Sequence, residues 1–393
     1  MAKVRLGDIA TVVTKGTTPT TMGFQFEDGG INFVKIESIS EDGTFLKEKF
    51  SHISDECNVQ MRRSQLQEND ILFSIAGAIG RSAIVTKEIL PANTNQALAI
   101  IRVPKGKIDY NYLLYALSSS AINQQATQHQ QGVAQLNISL KNVSDFLLPI
   151  YTEAMQKRIV HNLKKIDKLI SLRKQQLAKL DELVKVRFVE MFGNAKLNPN
   201  NLPCCSLSEY IVFLTSGSRG WSQYFTDSGE YFITIKNVKN CKITLQDVQC
   251  VTPPDNAEAK RTRVQENDLL ISITADLGRT GIVTKEIAEH GAYINQHLTC
   301  IRLKQDKLNP LYVAYYMESD AGKEQFIAKN QSAVKAGLNF NAINSLKLMV
   351  PPLALQNQFA AFVERVDQQK QTVQQSLEKL ELMKKALMQE YFG

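Results

Sequence analysis

Two kinds of residue in this chain have the type and spacing for chemistry: acids standing in close pairs, and polar loops rich in hydrogen-bond donors. The acid pairs are Glu68/Asp70 and Glu266/Asp268, each inside a Gln-Glu-Asn-Asp tetrapeptide at 67–70 and 265–268. Paired carboxylates can divide general acid and base roles. Asn and Asp just ahead of an apolar run more often close a turn through local hydrogen bonds, and that reading is preferred. Pro254-Asp255 with Glu258-Ala259-Lys260 superficially resembles a nuclease carboxylate–lysine set. Its members crowd along one proline-bearing loop, so they too read as a turn. No phosphate-binding Gly-x-x-x-x-Gly-Lys-Ser/Thr loop, Gly-x-Gly-x-x-Gly or His-Glu-x-x-His occurs, and the five histidines are dispersed. The chain reads as non-enzymatic, with no metal or cofactor of its own.

The donors lie elsewhere. Lys15, Thr17 and Thr18 occupy a loop ending in Pro19, and Ser216, Ser218, Arg219 and Trp221 occupy its counterpart. Arg81 and Arg279 follow glycines, and Asn95-Gln96 and Asn295-Gln296 precede apolar runs. Lys, Ser and Thr serve phosphates, Arg pairs with guanine, and Asn or Gln with adenine. Each has a blander reading. Arg219 reads equally as a solvated arginine and Trp221 as a packing anchor. The arginines shared by both copies bind phosphate or hold the fold. The Asn-Gln pairs are read, by a small margin, as scaffold turns.

These loops sit in a chain that repeats itself. Residues 67–89 and 265–287 are identical at 15 of 23 positions without a gap. Phe33–Ile36 matches Phe232–Ile235, and residues 151–193 match 352–393, both ending in Phe-Gly. The organisation is A–B–A′–B′: segments 1–150 and 194–351, each followed by a helix, 151–193 or 352–393. A 393-residue chain is too short for a solenoid array, so this is one duplication.

Composition is that of a globular protein, with 44% hydrophobic and 22% charged residues. No apolar run approaches the ~18 residues a membrane span needs. The N-terminus lacks a signal-peptide apolar region, so the expectation is a cytoplasmic protein. The six cysteines show no Cys-x-x-Cys spacing and are expected to be reduced packing thiols. The net charge is +7, of which +5 lies in 151–193. A basic helix suits an anionic polymer, or simply solvent.

Both B segments carry apolar residues at alternating spacings of four and three: Ile159, Leu163, Ile166 and Ile170, then Leu177, Leu180 and Val184, in the first, and in the same frame Phe359, Val363, Val366, Val373, Leu377, Leu380 and Leu387 in the second. That seam is a coiled-coil signature. Arg173 and Arg187 interrupt the first seam, and Lys370 and Lys384 the second, at complementary places. The helices are therefore expected to pair with each other, and with a compact domain between them an antiparallel pair is the natural closure. The A segments read as α+β, with strands at 31–39, 70–76, 82–86 and 97–103 and a helix near 109–129. The equivalents fall at 231–238, 268–274, 280–284, 297–303 and 310–329. Scaffold strands are alike in the two copies while the loops differ, as two recognition modules of different specificity should be.

The chain resembles the specificity (S) subunit of type I restriction–modification systems. The resemblance rests on Leu6–Pro19, "END-[IL]-L" at 68–72 and 266–270, Gly-Arg at 80–81 and 278–279, and Asn-Gln at 95–96 and 295–296. Segments 147–160 and 348–363, each leading into a long helix, complete it. The motifs' order, given twice over the whole chain, is the specific part. The second domain departs from the pattern in having Gly-Ser-Arg-Gly-Trp where the first has Gly-Thr-Thr-Pro.

The resemblance implies an α+β fold of two similar target recognition domains. Two long helices would join them as an antiparallel coiled coil with pseudo-two-fold symmetry. It further implies a bipartite double-stranded DNA target, two methyltransferase subunits using S-adenosylmethionine, and restriction subunits using ATP and Mg. Half-sites read from one face of DNA lie about 34–36 Å apart, within reach of a roughly 60 Å helix pair. The alternative is a stand-alone bipartite DNA-binding protein with no modification partner.

Overall fold

The computed structural model describes residues 3–128, 137–330 and 337–393. Their contacts divide the chain into two compact units: Met1–Lys174 with Gln374–Gly393, and Gln175–Val373. Both cuts fall inside long helices, Glu153–Phe192 and Leu353–Phe392, of 40 residues each. Each helix thus gives one half to each unit. Neither has an internal Gly or Pro, so nothing interrupts the backbone ladder.

The first unit centres on a four-stranded antiparallel sheet ordered Val12–Lys15, Leu98–Arg102, Ile71–Ser74, Ser82–Ile84. Strand Ile71–Ser74 is buried at every residue because both its faces are covered. Ile71 and Phe73 pack with Leu6, Tyr112, Phe146 and Ile159, while Leu72 packs on the other side with Val34, Val85 and Ile100. Two-sided burial explains why Ile71-Leu72-Phe73 are apolar in succession rather than alternating with polar residues. A second sheet orders Ser51–Ile53, Ile31–Val34 and Ala92–Thr94, the last two parallel.

The second unit repeats the scheme with Ile211–Ser216, Leu298–Leu303, Leu269–Ser272 and Thr280–Ile282. Its other sheet runs Phe225–Thr226, Gln249–Val251, Glu230–Ile233, Ala292–Ile294. The expected strands are present, shorter than read, and edge strands such as Val12–Lys15 and Ile211–Ser216 are additional.

The helices expected near 109–129 and 310–329 each break in two: Tyr110–Leu117 with Ser120–Gln128, and Pro310–Glu318 with Asp320–Ala328. Residue 129 lies outside the described residues. The break is made by a serine. Ser319 is extended, and its hydroxyl accepts the Gly322 N–H at 3.4 Å, while the Ser119 hydroxyl accepts that of Ile122 at 3.4 Å.

Within each unit the two helix halves run antiparallel. In the first, the Tyr151 hydroxyl donates to the Tyr391 carbonyl at 3.2 Å, and Lys384 meets Asp167 at 2.7 Å. In the second, Lys370 pairs with Asp181, and the rings of Phe188 and Phe359 lie 5.4 Å apart. Ile159, Ile166, Phe359, Val366 and Leu377 are buried, and Leu177, Leu180 and Leu380 are half-buried.

The Phe-Gly endings now have a reason. Phe392 enters the first unit's core 5.3 Å from Tyr112, and Phe192 enters the second unit's core 4.7 Å from Tyr312. Both tyrosines donate to backbone carbonyls, Tyr112 to Pro149 at 2.6 Å and Tyr312 to Met349 at 2.9 Å.

No helix among the described residues is long and apolar enough to cross a membrane. Cys57, Cys241 and Cys300 are buried thiols as expected, but Cys204 is exposed. It lies at the edge of the two-stranded ladder Cys204–Ser206 with Lys347–Met349 and alternates outward.

Candidate nucleic-acid interface

In each unit three segments far apart in sequence converge at one end of the main sheet. The first is the loop after the edge strand. Gly16 N–H donates to the Asn95 carbonyl at 3.1 Å, and Ser218 N–H to the Ile294 carbonyl at 2.9 Å. Only glycine fits where these loops cross the Asn-Gln turn. A Cβ on Gly16 would lie 1.7 Å from the Thr94 oxygen, and one on Gly217 2.1 Å from the Asn295 oxygen.

The second segment is that turn itself. The Asn95 side chain accepts the Ala97 N–H at 3.1 Å, and Asn295 that of His297 at 3.2 Å. Both asparagines are thus turn formers, which leaves the adjacent glutamines as the presented side chains. Gln96 is exposed and its Oε1 accepts the Thr18 hydroxyl at 2.5 Å. Gln296 is half-buried beside His297.

The third segment is the hairpin holding the shared arginines. Ile75 N–H donates to the Ala97 carbonyl at 2.9 Å and Ile273 N–H to the His297 carbonyl at 3.0 Å, tying hairpin to turn. The arginine side chains are engaged within the fold. Arg81 donates to the Ile39 carbonyl at 3.2 Å, and Arg279 pairs with Asp276.

The remaining candidates divide by burial. Lys15 and Arg219 are exposed, and Thr17, Thr18 and Ser216 are half-buried. Ser218 and Trp221 are not surface groups, a correction to their place among the candidate contacts. Ser218 is 2% exposed, with its hydroxyl 3.1 Å from that of Thr262. Trp221 is 3% exposed, stacks on Phe232 at 5.7 Å, and donates its indole N–H to Glu258 at 3.1 Å. Gly220, at φ 69°, turns the chain so that the indole points inward and Arg219 outward.

The acid clusters are structural. The buried Asp70 carboxylate binds Arg102 in bidentate fashion at 2.6 and 2.7 Å and accepts the Gln67 N–H at 2.8 Å. Asp268 does the same with Arg302, at 2.8 Å twice, and with Gln265 N–H at 2.7 Å. The arginine beside it holds each carboxylate, and the turn reading stands. Glu258 belongs to a short helix, Ala257–Thr262, capped by Asn256 rather than to a turn, and its carboxylate is taken by Trp221. Among the described residues no cluster of His, Cys, Asp and Glu could hold a metal ion.

Sequence reading missed Arg261. Its guanidinium donates to the Thr215 hydroxyl and to the Ser216 carbonyl at 2.8 Å, clamping the strand end that launches the loop. The available signal was a basic pair, Arg62-Arg63 and Lys260-Arg261, ahead of Gln-Glu-Asn-Asp in both copies. On the first long helix, Lys164, Lys165 and Lys168 are all exposed.

Comparison with known proteins agrees with this duplicated architecture. A type I restriction enzyme EcoBI specificity subunit from Escherichia coli is 32% identical over 139 residues, 35% of this chain and 28% of that one. A protein named as the MjaX type I restriction enzyme specificity subunit, from Methanocaldococcus jannaschii, is 24% identical over 98% of this chain and 90% of its own. A solved chain, from a study of complex assembly and conformational transition of the type I R-M system, superposes with TM-score 0.64. It is 17% identical over 100% of this chain and 97% of that chain, a likeness of fold. The family described as type I restriction modification DNA specificity domain matches residues 1–182 and 218–382. The chain belongs to that family of type I restriction–modification specificity subunits.

Proposed function

We propose that this chain reads a bipartite, asymmetric DNA target, one half-site for each loop cluster. Segments 1–150 and 194–351 act as the target recognition domains. Segments 151–193 and 352–393 act as spacer helices that also dock two methyltransferase subunits, with restriction subunits joining the same complex. The chain itself performs no catalysis. Methyl transfer, with S-adenosylmethionine, and DNA cleavage, with ATP and Mg, belong to the partners. The protein works in the cytoplasm, where its DNA lies.

The observation that carries this reading is one scaffold, built twice, presenting different outward groups. The first unit offers Lys15, Thr17, Thr18 and Gln96, the second Ser216, Arg219 and Gln296, on the same convergence of loop, turn and hairpin. Two identical readers would suit a palindrome; two different ones suit an asymmetric target. Arg81, Arg279, Asn95 and Asn295, present in both copies, contact phosphate or hold the loops rather than select bases.

Methylation profiling of genomic DNA with and without this protein, together with co-purification of the methyltransferase subunit, tests the reading. A two-part methylated motif that appears only with the protein is the expected result. Tight, specific binding by the chain alone, with no co-purifying methyltransferase, would instead establish the stand-alone binder.

A further inference from the structure

The same glutamine stands at the tip of both Asn-Gln turns, but the two units hold it by opposite ends. In the first unit the Thr18 hydroxyl donates to Gln96 Oε1 at 2.5 Å, which occupies the carbonyl and leaves the amide N–H groups outward. Among the described residues of the second unit no threonine hydroxyl bonds to Gln296. The residue following the glutamine is His297, where the first unit has Ala97. His297 Nδ1 lies 2.7 Å from the Thr274 hydroxyl, and its Nε2 lies 3.4 Å from Gln296 Nε2.

The roles within this chain of contacts follow from valence. An amide nitrogen only donates, so the Nε2 that meets it is unprotonated and accepts. A neutral imidazole then carries its proton on Nδ1, and the Thr274 hydroxyl, which can take either role, accepts it. With its nitrogen engaged, Gln296 turns its carbonyl Oε1 away from the imidazole. The side chains its ring nitrogens meet are Thr274 and Gln296.

We infer that His297 is a specificity-determining positioning residue for the second half-site. Through Gln296 it presents a hydrogen-bond acceptor to an exocyclic amino group, on adenine or cytosine. In the first unit Thr18 sets Gln96 to present a donor, suited to guanine O6 or N7, adenine N7 or thymine O4. The inference rests on the proposed DNA-reading role of the two clusters and deepens it.

The test uses the full chain assembled with its modification subunits and duplexes carrying each base at each position of the methylated motif. The wild-type complex should prefer an amino-bearing base at one position of the second half-site by about tenfold. His297→Ala should reduce the preference at that position to within about twofold and leave the other positions unchanged. Gln296→Ala should affect the same position, and Thr18→Val one position of the first half-site.

If Arg219→Ala relaxes the second half-site while His297→Ala and Gln296→Ala leave every preference intact, the inference fails and the proposed function stands. Equal weakening of all duplexes by His297→Ala, with the base preference at every position unchanged, would make it a merely structural residue. If the wild-type complex shows no base preference in either half, the proposed function fails and the inference with it.

Discussion

The Lys384 ammonium lies 2.7 Å from the Asp167 carboxylate, across the antiparallel helix halves of the first unit. The other Asp167 oxygen accepts the Tyr115 hydroxyl at 2.6 Å. One aspartate therefore ties together a lysine that breaks the second helix's apolar seam, the first helix, and the recognition domain's own helix. Lys370 meets Asp181 in the second unit in the same sense, lysine from the second helix and aspartate from the first. A polar group at a seam position costs stability unless its partner is in register, so these pairs select the antiparallel register.

Reversing one charge in the Asp181–Lys370 pair should lower stability by about 0.5–1 kcal/mol, since the aspartate side chain is 59% exposed and screened by solvent. The double exchange Asp181→Lys with Lys370→Asp should recover most of that loss in urea titrations. Asp167→Ala should cost about 1–2 kcal/mol more than either single reversal, because it also strands the Tyr115 hydroxyl. Equal losses in all three variants would remove Tyr115 from the argument.

The Asp70–Arg102 and Asp268–Arg302 pairs predict a larger effect. Both aspartates are fully buried, and each also closes the turn ahead of its central strand. Asp268→Ala leaves Arg302 without its carboxylate and should destabilise the protein by about 3–5 kcal/mol. Equilibrium denaturation measures this, and a loss below about 1 kcal/mol would mean water replaces the carboxylate at little cost.

Arg219→Ala and Arg81→Ala should differ in kind. Arg219 is exposed on a loop peculiar to one unit, so its loss should relax recognition by about 1–3 kcal/mol at one position of one half-site. Arg81 is tied to the Ile39 carbonyl and recurs in both copies, so its loss should weaken binding whatever the sequence. Methylation maps of the two variants check this; an unchanged motif with Arg219→Ala would end its assignment as a reader.

The exposed cations on the first long helix bear on the salt dependence of DNA affinity. If Lys164, Lys165 and Lys168 face phosphates, replacing all three with Gln should shallow the log–log salt slope by about two to three, at ~0.9 per contact. An unchanged slope would assign that charge to solvent or to a protein partner.

Tyr293 gives an alkaline signature of the second unit's smaller core. Burial, aided by the neighbouring Glu230, pushes its phenol up to about 12 from the ordinary 10. A raised pKa favours the protonated folded state, so this contribution is complete below pH ~10 and is lost as pH rises toward ~12. Tyr293→Phe should remove that part of the alkaline destabilisation, followed by denaturation at pH 9 and 11.5. Parallel losses in wild type and variant would assign the effect elsewhere.

Much of this was legible in the residues. The heptad seam named both long helices, because Phe359, Ile159 and their neighbours repeat at a spacing only one helix face can satisfy, and the compact domain between them made an antiparallel pair the natural closure. Seam exceptions announced that the helices were partners. The strands around 70–76 and 268–274 were readable because β-branched and aliphatic runs bounded by Asn-Asp turns have few other outcomes. Trp221 was not decidable. Whether an indole meets DNA or a protein core depends on Gly220 turning the chain and on Phe232, Tyr293 and Glu258 arriving from elsewhere.

The chain's own order of residues thus determined the duplication, the two helices, the central strands and the absence of any visible catalytic motif, all of which follow from local periodicity and spacing. Only the tertiary structure decided which donors face outward. Thr18 and Gln96 stand 78 residues apart, yet the Gly16 backbone pressed against the Thr94 carbonyl brings them to 2.5 Å. Gln296 also follows an asparagine, but its next residue is His297 in place of Ala97, and that imidazole meets its amide nitrogen. The direction of the Gln96 hydrogen bond is set by the threonine that folding delivers, and no spacing along the chain encodes that partner by itself.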